Sequence, residues 1–61
     1  MDIRAGMHIF HNGTPMELLY RKDHYHGMEI WRIKLLFVEP KEKDELFEPD
    51  DRISFLHSRT N

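Results

Sequence analysis

The sequence predicts an all-β fold: a small, strongly bent antiparallel sheet or barrel of about five strands, with a short 3-10 turn before the last strand. Three observations carry this. Short segments rich in branched and aromatic residues alternate apolar with polar positions. Asn12-Gly13 separates two of them and is the strongest short-range hairpin signal, because both residues tolerate the positive φ of a type I′ turn. The cross-strand pairs dictated by this turn also agree with those dictated by a second turn at residues 24–27.

Residues 1–6 read as a flexible lead-in, with Gly6 opening the first strand, Met7–His11. The Asn12-Gly13 loop sets His11 opposite Thr14, Ile9 opposite Met16 and Met7 opposite Leu18. If His24-Tyr25-His26-Gly27 forms the second loop, Asp23 faces Met28, Tyr20 faces Trp31, Leu18 faces Ile33 and Met16 faces Leu35. One face then carries Met7, Ile9, Met16, Leu18, Tyr20, Trp31, Ile33 and Leu35, and a slip of one residue would turn all of them outward. The third strand, Met28–Val38, is long and apolar on both faces near its end, which predicts a bend or bulge before Pro40 stops it. Lys41–Glu45 reads as a charged loop followed by a short strand at Leu46-Phe47, with one or two helical turns over Glu42–Phe47 as the alternative. Pro49-Asp50-Asp51 starts the 3-10 turn, Ile53–His57 is the closing strand, and residues 58–61 form a polar, flexible tail.

Sixty-one residues make one domain, 1–61. A chain this short buries only about 60% of its unfolded surface, so an efficient barrel core or self-association must supply stability. A homodimer is therefore one expected state. There is no cysteine, which excludes disulfides. No apolar run approaches the ~18 residues that span a membrane, and the opening residues lack the apolar core of a signal peptide. Cytoplasmic residence is the expectation. Residues 39–51 carry seven acids against Lys41 and Lys43, whereas residues 1–38 carry five Lys or Arg against four acids. This uneven, mildly acidic balance disfavours a strongly basic nucleic-acid binder.

The opening segment Gly6-Met7-His8-Ile9-Phe10-His11-Asn12-Gly13, the long central strand and the Glu48-Pro49-Asp50-Asp51 turn before a short last strand together resemble SH3-like barrels. The resemblance covers roughly residues 6–57 and is one of architecture. The Ala-Leu-Tyr-Asp-Tyr run of peptide-binding SH3 domains is absent, so it does not imply proline-rich ligands.

Several constellations invite a chemical reading. Five histidines suggest a metal site, but His24 and His26 share a turn, His8 and His11 lie on opposite strand faces, and no ligand set for a closed zinc site is present. The turn histidines would make binding sensitive to pH between about 5 and 7. Asp23, Glu39 and Lys41 spell the D…E-x-K pattern of two-metal nucleases, with Pro40 interrupting it and no αβ core to hold it. Asp50-Asp51 reads as a turn cap. No hydroxyl has a partnered base and no glycine-rich phosphate loop is present. Neither catalysis nor a bound metal or cofactor is expected.

Two surfaces remain. On the second sheet face, Phe10, Leu19 and Ile30 interleave with Arg21, Arg32 and Lys34, with His8 and Glu17 alongside. Leu36 and Leu56 are candidate additions to this apolar patch. Mixed basic and apolar character suits an acidic protein surface, or the stacking and phosphate contacts of single-stranded nucleic acid, with Tyr25 as a further stacking residue. The acidic segment, expected elsewhere on the molecule, offers Glu42, Asp44, Glu45, Glu48, Asp50 and Asp51 to a basic partner. The expected function is a non-enzymatic protein-interaction module. Its small size suits a phage or mobile-element protein that binds or inhibits a larger host complex, an anti-defence role. The alternative is an SH3-like nucleic-acid-binding domain using the basic-aromatic face.

Overall fold

A computed structural model describes residues 2–39 and 41–56. The described chain is all-β: β1 (His8–His11), β2 (Thr14–Tyr25), β3 (Met28–Leu35), β4 (Glu42–Phe47) and β5 (Ile53–Phe55) form one antiparallel sheet in the order β4-β3-β2-β1-β5. Strands β1 to β4 are a meander, and the chain then returns so that β5 lies beside β1, with Ile9 opposite Phe55 and His11 opposite Ile53. The predicted end of the last strand at His57, the tail 58–61 and the stop at Pro40 lie outside the described residues.

The β1–β2 register is the one the Asn12-Gly13 loop dictates, with Ile9 on Met16 and His11 on Thr14. Asn12 and Gly13 take φ of 49° and 89°, the two positive values a type I′ turn needs. Between β2 and β3 the pairs Met16–Leu35 and Leu18–Ile33 also stand as expected. Beyond them the register departs from expectation. Bulges between Leu18 and Tyr20 and between Arg21 and Asp23 each add a residue to β2, so Tyr20 meets Arg32, Arg21 meets Trp31 and Tyr25 meets Met28. The second turn is consequently the tight His26-Gly27 loop, with φ of 53° and 78°. Histidine is among the few non-glycine residues enriched in this region. The long, bulged strand is β2 rather than β3, which ends at Leu35.

Ile9, Met16, Leu18, Ile33 and Phe47 are fully buried, and Trp31 and Ile3 nearly so. Met7, Leu35 and Ile53 pack against this core. Each large apolar side chain withdrawn from water stabilises the fold by about 1.5–3 kcal/mol. Trp31 reaches Glu29 with its indole N–H at 2.7 Å, which satisfies the one polar atom that its burial would strand. Tyr20, expected to pack on Trp31, is 55% exposed instead, because the first bulge turns it onto the face of Arg32.

The lead-in folds onto the sheet rather than trailing from it. The Gly6 N–H donates to the Leu18 carbonyl at 2.8 Å, the Met7 N–H to that of Arg4, and Ile3 enters the core. Glu42–Phe47 is neither loop nor helix. It alternates Lys43, Glu45 and Phe47 on the core side with Glu42, Asp44 and Leu46 on the outer side, pairing fully with β3. Its run of charge occupies a sheet edge, where charge discourages pairing with other chains. The expected 3-10 turn is a single hydrogen-bonded turn, in which the Asp51 N–H donates to the Glu48 carbonyl at 3.0 Å.

Candidate interaction surfaces

The chemistry of the chain concentrates in three places. The first is internal. His11, 5% exposed, presents Nδ1 to Glu45 Oε2 at 2.6 Å and Nε2 to Asp51 Oδ2 at 2.7 Å. Each ring nitrogen thus faces one carboxylate oxygen. Glu45 comes from β4 and Asp51 from the turn before β5, so the ring ties the two ends of the curled sheet to β1. The backbone N–H of Glu48 donates to Asp51 at 2.8 Å. That bond, followed by the one from His11, holds the Asp51 carboxyl below the usual carboxylate range. The neighbouring Asn12 accepts from the Arg52 N–H with Oδ1 and donates its own N–H to the Arg52 carbonyl, each at 2.8 Å. The imidazole thus has no open coordination or nucleophile-facing side, and the arrangement is a clamp.

The second is the outer face of β3 and β4. Here Ile30 stands across from Leu46, Arg32 across from Asp44 and Lys34 across from Glu42. Arg32 Nη1 donates to Asp44 at 3.0 Å, its Nε lies 3.6 Å from Glu42, and Lys22 from β2 reaches Asp44 at 2.8 Å. Hydrogen bonds from Lys22 and then Arg32 hold the Asp44 carboxyl below its ordinary range. The bond to Asp44 in turn holds the Arg32 guanidinium more firmly protonated. At the hairpin end of this face, Tyr25, Met28, Ile30 and Leu46 line a groove of about 270 Å³, rimmed by Asp23 and His24. Leu46 and Tyr25 are 47% and 59% exposed.

The third is the β3–β4 connection. Its ends are joined where the Leu35 N–H donates to the Lys41 carbonyl. Between them Phe37 is 86% exposed with a φ of 75°, and Val38 is 51% exposed. A left-handed backbone costs a residue with a side chain about 1–2 kcal/mol.

The residues singled out from the sequence are distributed over these places. Ile30, Arg32, Lys34, Glu42 and Asp44 share the outer β3–β4 face, so the basic-apolar surface and part of the acidic segment are one surface, on which Arg32 pairs with Asp44 and Glu42. Glu45 and Asp51 turn to His11 instead, and Glu48 and Asp50 are exposed on the turn before β5. Arg21 leaves the row of Arg32 because it stands opposite Trp31. Leu19 is half-buried at the first bulge. Phe10 is half-buried beside Pro15 and Ser54, whereas Ile30 pairs with Asp23. The eight-residue offset along β2 separates Phe10 from Ile30 by roughly 26 Å of strand, so they form no common patch.

Asp23 sits near the β2–β3 turn, whereas Glu39 and Lys41, 3.5 Å apart, lie in the loop at the other end of β3. Among the described residues no group of three or more His, Asp or Glu converges as a metal site, and no helix is long and apolar enough to cross a membrane. Leu46, Met28, Phe37 and Val38 were not foreseen as surface residues. No alternation marked Leu46, because Glu42–Phe47 runs as four charged residues followed by two apolar ones. Comparison of the chain with family models, with curated proteins and with solved structures returned no match.

Proposed function

We propose that this chain is a non-enzymatic protein-interaction module that engages a larger partner through the Phe37-Val38 loop. The observation that carries the reading is Phe37. A large aromatic side chain is held almost wholly in solvent by a backbone conformation that disfavours it. Residues that accept strain without an internal contact in return cluster at binding sites. Exposed aromatics supply rigid apolar area at little entropic cost when they enter a partner's pocket. Val38 extends the apolar tip.

The cations of the sheet face argue in the same direction. Arg32 and Lys22 are committed to Asp44 and Glu42, which leaves less free positive charge to neutralise phosphates. His11 is enclosed by its two carboxylates, which supports a structural rather than a catalytic role. The lack of cysteine fits residence in a reducing compartment such as the cytoplasm.

The test is affinity capture from the native host with wild type and Phe37→Asp in parallel, followed by binding measurements with the purified partner. A protein that binds wild type and not Phe37→Asp supports the reading. Equal binding by both, or instead a salt-dependent affinity for single-stranded oligonucleotides, overturns it.

A further inference from the structure

We infer that the outer face of β3 and β4 is a two-fold self-association surface, whose occupant is a second copy of this chain. The pattern of side chains on this face is independent of the Phe37 loop. Read from the hairpin end, β3 presents Ile30, Arg32 and Lys34, and β4 presents Leu46, Asp44 and Glu42 in the same rows. One column is therefore apolar then positive, the other apolar then negative.

Consider a two-fold axis in the plane of contact, parallel to the strands and midway between β3 and β4. It lays each column on the opposite column of the second copy. Ile30 then meets the partner's Leu46, Arg32 meets the partner's Asp44 and Lys34 meets the partner's Glu42, each contact made twice. This is the self-complementarity an isologous interface demands. The other in-plane axis, across the strands, would set Arg32 on its own copy and is rejected by like charge.

Strands related in this way run parallel between the copies, which is the aligned packing of two sheets. The row of Ile30 and Leu46 would meet its own image and form the apolar part of the contact. The half-exposed ion pairs would form a polar border, as interfaces usually arrange them. Opposite-sign columns also suppress wrong registers, because a shift of one row places charge on apolar side chains.

The decisive experiment uses charge reversal with sedimentation analysis of the full chain. Wild type is expected to associate to a dimer in a concentration-dependent way. Arg32→Asp and Asp44→Arg should each be monomeric, because every copy then opposes like charges across the axis. An equimolar mixture of the two should restore a heterodimer, since one copy carries two negative residues where the other carries two positive ones. Thermal melts establish that each variant is folded. If either fails to fold, Leu46→Ser takes its place and should weaken the dimer of an intact protein at least tenfold. A wild type that remains monomeric up to its solubility limit, a mixture that stays monomeric, or a Leu46→Ser dimer as tight as wild type overturns the inference.

Discussion

The His11 ring stacks on the Phe47 ring, with centroids 4.1 Å apart and planes inclined by 29°. The same ring holds two carboxylates, so a single side chain couples an apolar contact in the core to the closure of the sheet. Removing the donors is expected to cost more than removing the stack. His11→Gln, which keeps one donor group, should lose about 1–3 kcal/mol. His11→Phe, which keeps the aromatic contact, should lose more because Glu45 and Asp51 both lose their bond to the ring. Urea unfolding of both variants decides it, and a His11→Phe protein as stable as wild type would show that the carboxylates contribute nothing.

Acid should loosen the fold through Asp51 and Asp44. Both carboxyls are held below their ordinary range in the folded chain, so folding is favoured while they are ionised. That contribution is present above the unfolded value near 3.8 and is lost as pH falls through the depressed folded values. Melting temperature is expected to fall below about pH 4. Asp51→Asn should be less stable at neutral pH and show a shallower acid limb. Identical acid limbs for wild type and Asp51→Asn would exclude Asp51 as a source of the effect.

Trp31 and Tyr20 should respond oppositely to truncation. Trp31 is 4% exposed and Tyr20 55%. Trp31→Ala is expected to cost about 3–5 kcal/mol, against a total of about 3–9 kcal/mol for a domain of this length. Tyr20→Ala should stay within about 0.5 kcal/mol of wild type. Circular dichroism melts suffice, and equal losses at the two positions would mean that the first bulge is absent in solution.

Phe37→Gly separates stability from binding. Glycine takes a φ of 75° without the steric cost that phenylalanine bears. The variant should be stabilised by up to about 1 kcal/mol while losing the partner of the wild-type protein. A destabilised Phe37→Gly would mean that the aromatic ring has a packing role in the isolated fold.

The hairpin at Asn12-Gly13 was legible because its turn chemistry and the alternation on either side point to the same register. The upper half of the second hairpin was not. Two bulges in β2 change which residues face inward, and nothing in Leu19, Tyr20, Arg21 or Lys22 marks an inserted residue by composition. Ile3 was overlooked because it is an isolated apolar residue before a glycine turn. β4 was hidden because its charges, which shield an edge in the folded sheet, resemble a loop when read along the chain. The His11 clamp joins residues 34 and 40 positions apart, a separation that local pattern does not encode.

That long separation also orders events during synthesis. Strands β1 to β4 are joined by consecutive local pairings, so they can assemble as each emerges from the ribosome. The clamp must wait for Asp51, and β1 keeps an unpaired edge until Ile53–Phe55 arrives to cover it. A nascent or prematurely terminated chain ending after Phe47 therefore carries nearly the whole core beside a bare strand, the combination that recruits other chains by edge pairing. Incomplete products, rather than the finished protein, are the species from which aggregation of this sequence should begin.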